Sequence, residues 1–198
     1  MSGEPKGRHM ILVISGTNRQ GSNSLKVARQ LAGYIQGLPN QQDAKVIDLA
    51  ELPPSLMDPG IYEKKPPEFE PLAKAVLDSD GIMVVVPEYN GSFPGVLKYF
   101  IDLLPFPESF DQRPVSYVGV SAGQWGALRA VEQLQLVFGY RNAYVHPPRT
   151  FLPSIHTLLD EDGNFKDEST AARLEKQAHG FVDFCKHFGN PTAASSDS

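Results

Sequence analysis

Three short stretches, Met10 to Ser15, Ile82 to Val86 and Val115 to Val120, are mostly apolar and rich in β-branched residues. None shows the alternation of polar and apolar residues that a half-wet sheet imposes. Strands of this kind must be covered on both faces, which points to a parallel sheet clothed by helices. Lys45 to Leu49 and Asn142 to Val145 carry the same signal more weakly and are read as two further strands.

Helical patterns separate these strands. Phe93, Val96, Leu97, Phe100, Ile101 and Leu104 recur at helical spacing and form one apolar stripe, with Ser92 expected as its N-cap and Pro94 in its first turn. Phe69, Leu72, Ala73, Val76 and Leu77 form a second stripe, and Leu174, Ala178, Phe181, Val182 and Cys185 a third. Ser24 to Ile35 and Ala127 to Phe138 fit looser helices, the first capped by Ser22 or Asn23. Strand and helix therefore alternate about five times, which predicts a doubly wound α/β sandwich with five parallel strands.

The length of 198 residues suits one such domain, expected over 9–189, between a flexible N-terminus (1–8) and a flexible small-residue tail (190–198). A net charge of −5 with no basic run argues against nucleic-acid binding. The single cysteine, Cys185, forms no internal disulfide or cysteine metal cage and reads as a core residue in a reducing compartment. The apolar run near the N-terminus is too short for a membrane or signal segment, so a cytoplasmic protein that does not enter membranes is expected. The five histidines lack metal-ligand spacing. "DEDGNFKDESTA" departs from a calcium loop at Phe165 and Ala171, so no metal is assigned and Ser169 or Thr170 is read as a helix cap.

Doubly wound sheets bind ligands beyond the carboxyl ends of their strands. After the first strand, "SGTNRQGSNS" places Thr17, Ser22, Asn23 and Ser24 beside the exposed amides of a helix start, with Arg19 adding positive charge. That combination favours a phosphate. It lacks the Gly-Lys-Ser/Thr ending of an NTPase loop and the G-x-G-x-x-G of a dinucleotide site, so a mononucleotide fits better. The third-strand loop, "PEYNGS", offers the face of Tyr89. The fourth, "SAGQWGALRA", offers close backbone approach and the face of Trp125. Individually these rings read as packing residues; together with a phosphate loop they suggest a planar ring system carrying a phosphate.

At these residues the chain resembles the NADPH-dependent FMN reductases, a flavodoxin-like group that includes quinone, chromate and azo-dye reductases. The matching pieces are "SGTNRQGSNS", "VPEYNGSFPGVLKYFIDLL", "SAGQWGALRAVEQL" and the late acidic "LDEDGNFKDES". The resemblance implies a flavodoxin-like three-layer sandwich with a five-stranded parallel sheet in the order 2-1-3-4-5. It also implies bound FMN, NADPH as co-substrate, a small-molecule electron acceptor such as a quinone, azo compound or metal oxyanion, and a homodimer or homotetramer. On this reading the FMN phosphate meets Thr17, Arg19, Ser22, Asn23 and Ser24. Pro87, Glu88, Tyr89, Asn90 and Gly91 border the isoalloxazine ring, and Ser121, Ala122, Gly123 and Gln124 line its other edge. Trp125 either covers the ring or shapes the substrate pocket. Arg19, Arg113, Arg141 and Arg149 are each candidates for the NADPH 2′-phosphate, and the proline-rich Leu52 to Pro67 for a surface loop, a cover or a subunit contact. No catalytic side chain is required, since FMN carries the chemistry.

Two other functions compete. Gly119 to Gly123 matches the G-x-S-x-G of a nucleophile elbow, with Ser121 as nucleophile, Asp160 or Asp162 and then His179 or His187 as partners. A flavodoxin-like electron carrier or redox sensor would bind FMN without turning over NADPH, but carriers usually bear stronger charge than −5.

Overall fold

The first apolar stretch becomes β1 (Met10–Ser15), which lies between β2 (Asp43–Asp48) and β3 (Gly81–Pro87) and pairs in parallel with both. The computed structural model describes residues 9–39 and 42–188; the expected flexible ends at 1–8 and 190–198 lie outside the described residues. β4 (Pro114–Val120) follows beside β3, and the sheet order is β2-β1-β3-β4-β5, all pairs parallel. Chain order reverses across the β1/β3 junction, which is the switch point where such sheets open a crevice.

The fifth position differs from expectation. Instead of one strand over 142–145, two short pieces, β5 (Tyr144–Val145) and β6 (Thr150–Leu152), each pair with β4. Pro147 and Pro148 fall between them, and a residue without an amide hydrogen cannot continue a ladder.

The apolar runs have the predicted cause. Leu12, Ile14, Ile82, Val84 and Val86 face a core closed by α2 (Glu70–Asp78), α3 (Gly95–Leu103) and α4 (Leu128–Tyr140). Ile11, Val13, Met83 and Val85 face a second core closed by α1 (Asn23–Gln36) and α6 (Glu168–Cys185). A short helix, α5 (Ile155–Leu158), follows β6. Cys185 is buried in the second core.

Two caps differ from expectation. α3 begins after Pro94, while Ser92 turns away to bond Gln133 of α4 at 2.6 Å. α6 is capped by Asp167 rather than Ser169 or Thr170; its carboxylate accepts from Thr170 N–H at 2.8 Å and from both hydroxyls, which holds its pKa down at about 2. Along the 52–67 connection, Leu56 and Ile61 sink into the core through short 3₁₀ turns, while Met57 and Tyr62 stay exposed.

Candidate active site

Ser22 ends the first loop with its Oγ accepting from Leu25 N–H at 3.1 Å, an N-cap that sets the direction of α1. The amides of Asn23 and Ser24 lie in the first helical turn, ahead of any intrahelical acceptor, and point out of the helix start. Arg19 stands on the same loop, its guanidinium 5.9 Å from the Tyr89 ring centre. An anionic head group fits this collection of donors and positive charge.

The third-strand loop is a tight turn. Tyr89 and Ser92 exchange backbone hydrogen bonds of 2.8 and 3.0 Å, while Asn90 (φ 53°) and Gly91 (φ 76°) both take left-handed backbone. Asn-Gly is the pair that tolerates this geometry. Gln133 of α4 clasps the turn, donating to Gly91 O at 3.0 Å as well as accepting from Ser92. The turn carries Tyr89 to the first loop, where its hydroxyl meets Thr17 Oγ1 at 2.6 Å.

The fourth-strand loop forms the third wall. Ser121 N–H donates to Leu152 O at 3.1 Å and Ile155 N–H to Ser121 O at 3.0 Å, so β6 and α5 hold the loop in place. Gly119 makes this possible, because a Cβ there would stand 2.2 Å from Gly126 O.

Together the three loops enclose a cavity of about 420 Å³. Thr17, Arg19, Ser22, Asn23 and Ser24 line it from one side, Pro87, Glu88 and Tyr89 from the second, and Ser121 and Ala122 from the third. The remaining expected residues, Asn90, Gly91, Gly123 and Gln124, are not part of its wall. Asn90 and Gly91 shape the turn from behind, and Gly123 O accepts from the Ser121 hydroxyl at 2.8 Å and from Ser154 N–H at 3.1 Å. Ile155 does line the cavity, although nothing in its local sequence marks it. Gln133 is a second contributor without a motif, because its role depends on α4 packing beside the turn.

Several candidates part company with the site. Arg113 is fully buried; its guanidinium donates to the carbonyls of Ser109 at 2.7 Å, Leu77 and Glu108 at 3.3 Å, and Ser79. Burial lowers its pKa to about 10. Arg141 donates to Pro105 O at 3.0 Å and stacks on Phe106 and Phe110. Neither can reach a cofactor in the cavity. Trp125 does not line the cavity either, nor does any residue of the 52–67 connection.

The hydrolase triad does not assemble. The Ser121 hydroxyl is engaged by Gly123 O, His179 Nε2 lies 3.1 Å from Tyr34 O, His187 Nδ1 lies 3.0 Å from Asp183 O, and Asp160 accepts from Asn164. Ser121 also lacks the left-handed backbone of a strained elbow.

The sequence profile of one family, NADPH-dependent FMN reductase, matches residues 10–157, which contain all three loops. The chain belongs to this family. As an FMN reductase it is an oxidoreductase with FMN as cofactor and NADPH as co-substrate, which sets aside both the hydrolase and the passive carrier. A Pseudomonas aeruginosa NAD(P)H-dependent FMN reductase is 28% identical over 173 residues, covering 84% of this chain and 90% of the relative. A Pseudomonas putida quinone reductase is 31% identical over 168 residues, covering 81% and 87%. Among solved structures, the flavoenzyme NAD(P)H:(acceptor) oxidoreductase FerB from Paracoccus denitrificans superposes with a TM-score of 0.76 at 24% identity, covering 90% of this FMN reductase and 98% of that chain. That likeness establishes the flavodoxin-like fold. Among the described residues, no helix is long and apolar enough to cross a membrane, and no cluster of His, Cys, Asp or Glu could hold a metal ion.

Proposed function

We propose that this reductase holds FMN across the three-loop cavity, prefers NADPH as donor, and passes electrons to a quinone, with azo compounds and metal oxyanions as further acceptors. The observation that carries the proposal is the Thr17–Tyr89 hydrogen bond, 2.6 Å long, which ties the anion cradle directly to the aromatic turn. A phosphate and a ring belonging to one molecule therefore have neighbouring seats.

Each residue then has a part. The α1 amides, Ser22 and Arg19 hold the phosphate, and Thr17 and Tyr89 fix the junction between phosphate and ring. Pro87, Glu88, Ser121 and Ala122 form the ring's walls, with Asn90, Gly91, Gly123 and Gln124 as supports around them. Bound FMN supplies the redox chemistry, accepting hydride from NADPH and delivering two electrons to the acceptor. The protein orients the ring and limits access to it, so no side chain acts as nucleophile. The quinone assignment draws support from the name of the Pseudomonas putida relative. The protein is proposed to work as a homodimer or homotetramer, in keeping with the exposed Phe106 just after α3 and the exposed Leu136 and Tyr140 on α4.

The purified protein, sedimenting as a dimer or tetramer, should bind FMN, bleach its visible absorbance on addition of NADPH, and regain colour on addition of a quinone. Failure to bind FMN, or bound FMN that NADPH does not bleach, would overturn the reading.

A further inference from the structure

Beside the FMN cavity lies a second hollow of about 380 Å³, lined by Trp125, Phe151, Pro153 and Leu158 together with Arg173. We propose that it receives the adenosine 2′-phosphate end of NADPH, with adenine stacked on Trp125 and the 2′-phosphate met by Arg173. The proposal rests on the reading above and assigns residues to the choice between NADPH and NADH.

Position is the first reason. Gln124 and Trp125 continue directly from the Ser121–Ala122 wall of the FMN cavity, and Pro153 and Leu158 flank Ile155, which lines that cavity. The hydrogen bonds from Ile155 N–H to Ser121 O and from Ser154 N–H to Gly123 O tie together the two loops whose residues line both hollows. A dinucleotide that reaches the flavin with its nicotinamide must seat the remainder of its length nearby, and this hollow is lined by the next residues along the same two loops.

Chemistry is the second. Trp125 is the single tryptophan of the chain, and 59% of its surface is exposed. It lines this hollow and is not part of the FMN cavity wall. With Phe151 and Pro153 beside it, it makes an apolar slot for a flat heterocycle. Arg173 is exposed, with one long hydrogen bond, 3.5 Å, to Phe151 O, and so has donors to offer a phosphate. Arg149 stands 5.9 Å from the Phe151 ring centre, adding positive charge beside that ring while donating to Gln135.

Elimination is the third. Arg113 and Arg141 are committed to backbone carbonyls inside the fold, and Arg19 lies at the FMN phosphate end of the cavity. Arg173 is an exposed guanidinium beside a flat slot.

The test uses adenosine 2′,5′-bisphosphate and AMP against the FMN-loaded protein, read by the emission of the lone tryptophan and by inhibition competitive with NADPH. The bisphosphate should alter the emission and bind about tenfold or more tighter than AMP. Arg173→Gln should erase that margin and raise KM for NADPH by the same factor, leaving KM for NADH, affinity for AMP and FMN binding unchanged. Trp125→Leu should raise KM for both nucleotides. Unchanged tryptophan emission, a margin that survives Arg173→Gln, or a Trp125→Leu variant impaired toward the quinone but not toward NADPH would each overturn the proposal. Loss of the FMN reading would appear separately, as absence of bound flavin, and emission of the flavin-free protein would still report on the slot.

Discussion

Ser22 is asked to do two things at once. Its oxygen accepts from Leu25 N–H as the cap of α1, which leaves its hydroxyl hydrogen to be donated to a phosphate. Two substitutions separate these roles. Ser22→Ala should cost about 1 kcal/mol of stability through the lost cap, and should weaken FMN binding roughly 10- to 150-fold through the lost charge-assisted bond. Ser22→Asp should preserve the cap but place a carboxylate against the phosphate, leaving stability near wild type while FMN affinity falls. Denaturant unfolding without flavin and flavin titration measure the two quantities. FMN affinity unchanged in both variants would remove Ser22 from the cradle.

At the scale of elements, Arg113 joins the turn before β3 to the turn before β4. It gathers carbonyls from the end of α2 and its cap, Leu77 and Ser79, and from the turn before β4, Glu108 and Ser109. The planar fork of a guanidinium can address oxygens in several directions at once, which an ammonium on a similar stem cannot. Arg113→Lys should therefore destabilise the fold by on the order of 3 kcal/mol, since buried carbonyls are left without donors. A midpoint unchanged in denaturant would show that the carbonyls find other partners. No local pattern identifies this residue, and among the four arginines considered for NADPH nothing in the sequence sets it apart. The central strands were legible because burial on both faces leaves a compositional trace. Thr150 to Leu152 was not, because a three-residue edge segment behind two prolines leaves almost none. Thr17, Ser22 and Tyr89 were legible because helix starts and tight turns demand particular residue types, whereas Ile155 and Gln133 reach the site through packing between distant segments.

For the whole molecule, His146 couples stability to acidity. It is buried against Phe181 and Phe184, with ring centres 5.6 and 5.2 Å away, and its Nδ1 lies 3.4 Å from Ser116 Oγ. Desolvation lowers its pKa below the ordinary 6.5. As pH falls, the unfolded chain takes up the proton before the folded one does, so this contribution is intact above about 6.5 and erodes below it. Unfolding free energy should decline as pH falls below about 6.5, and the decline should be shallower in His146→Leu. Equal slopes would assign the acid sensitivity to other groups.

The split after β5 also governs how copies of the chain can meet. A long, uninterrupted border strand invites another chain to extend the sheet across it. Here the border is two fragments, with Pro147 and Pro148 presenting no amide hydrogens between them. Neighbouring molecules are thus denied a continuous backbone template along this margin.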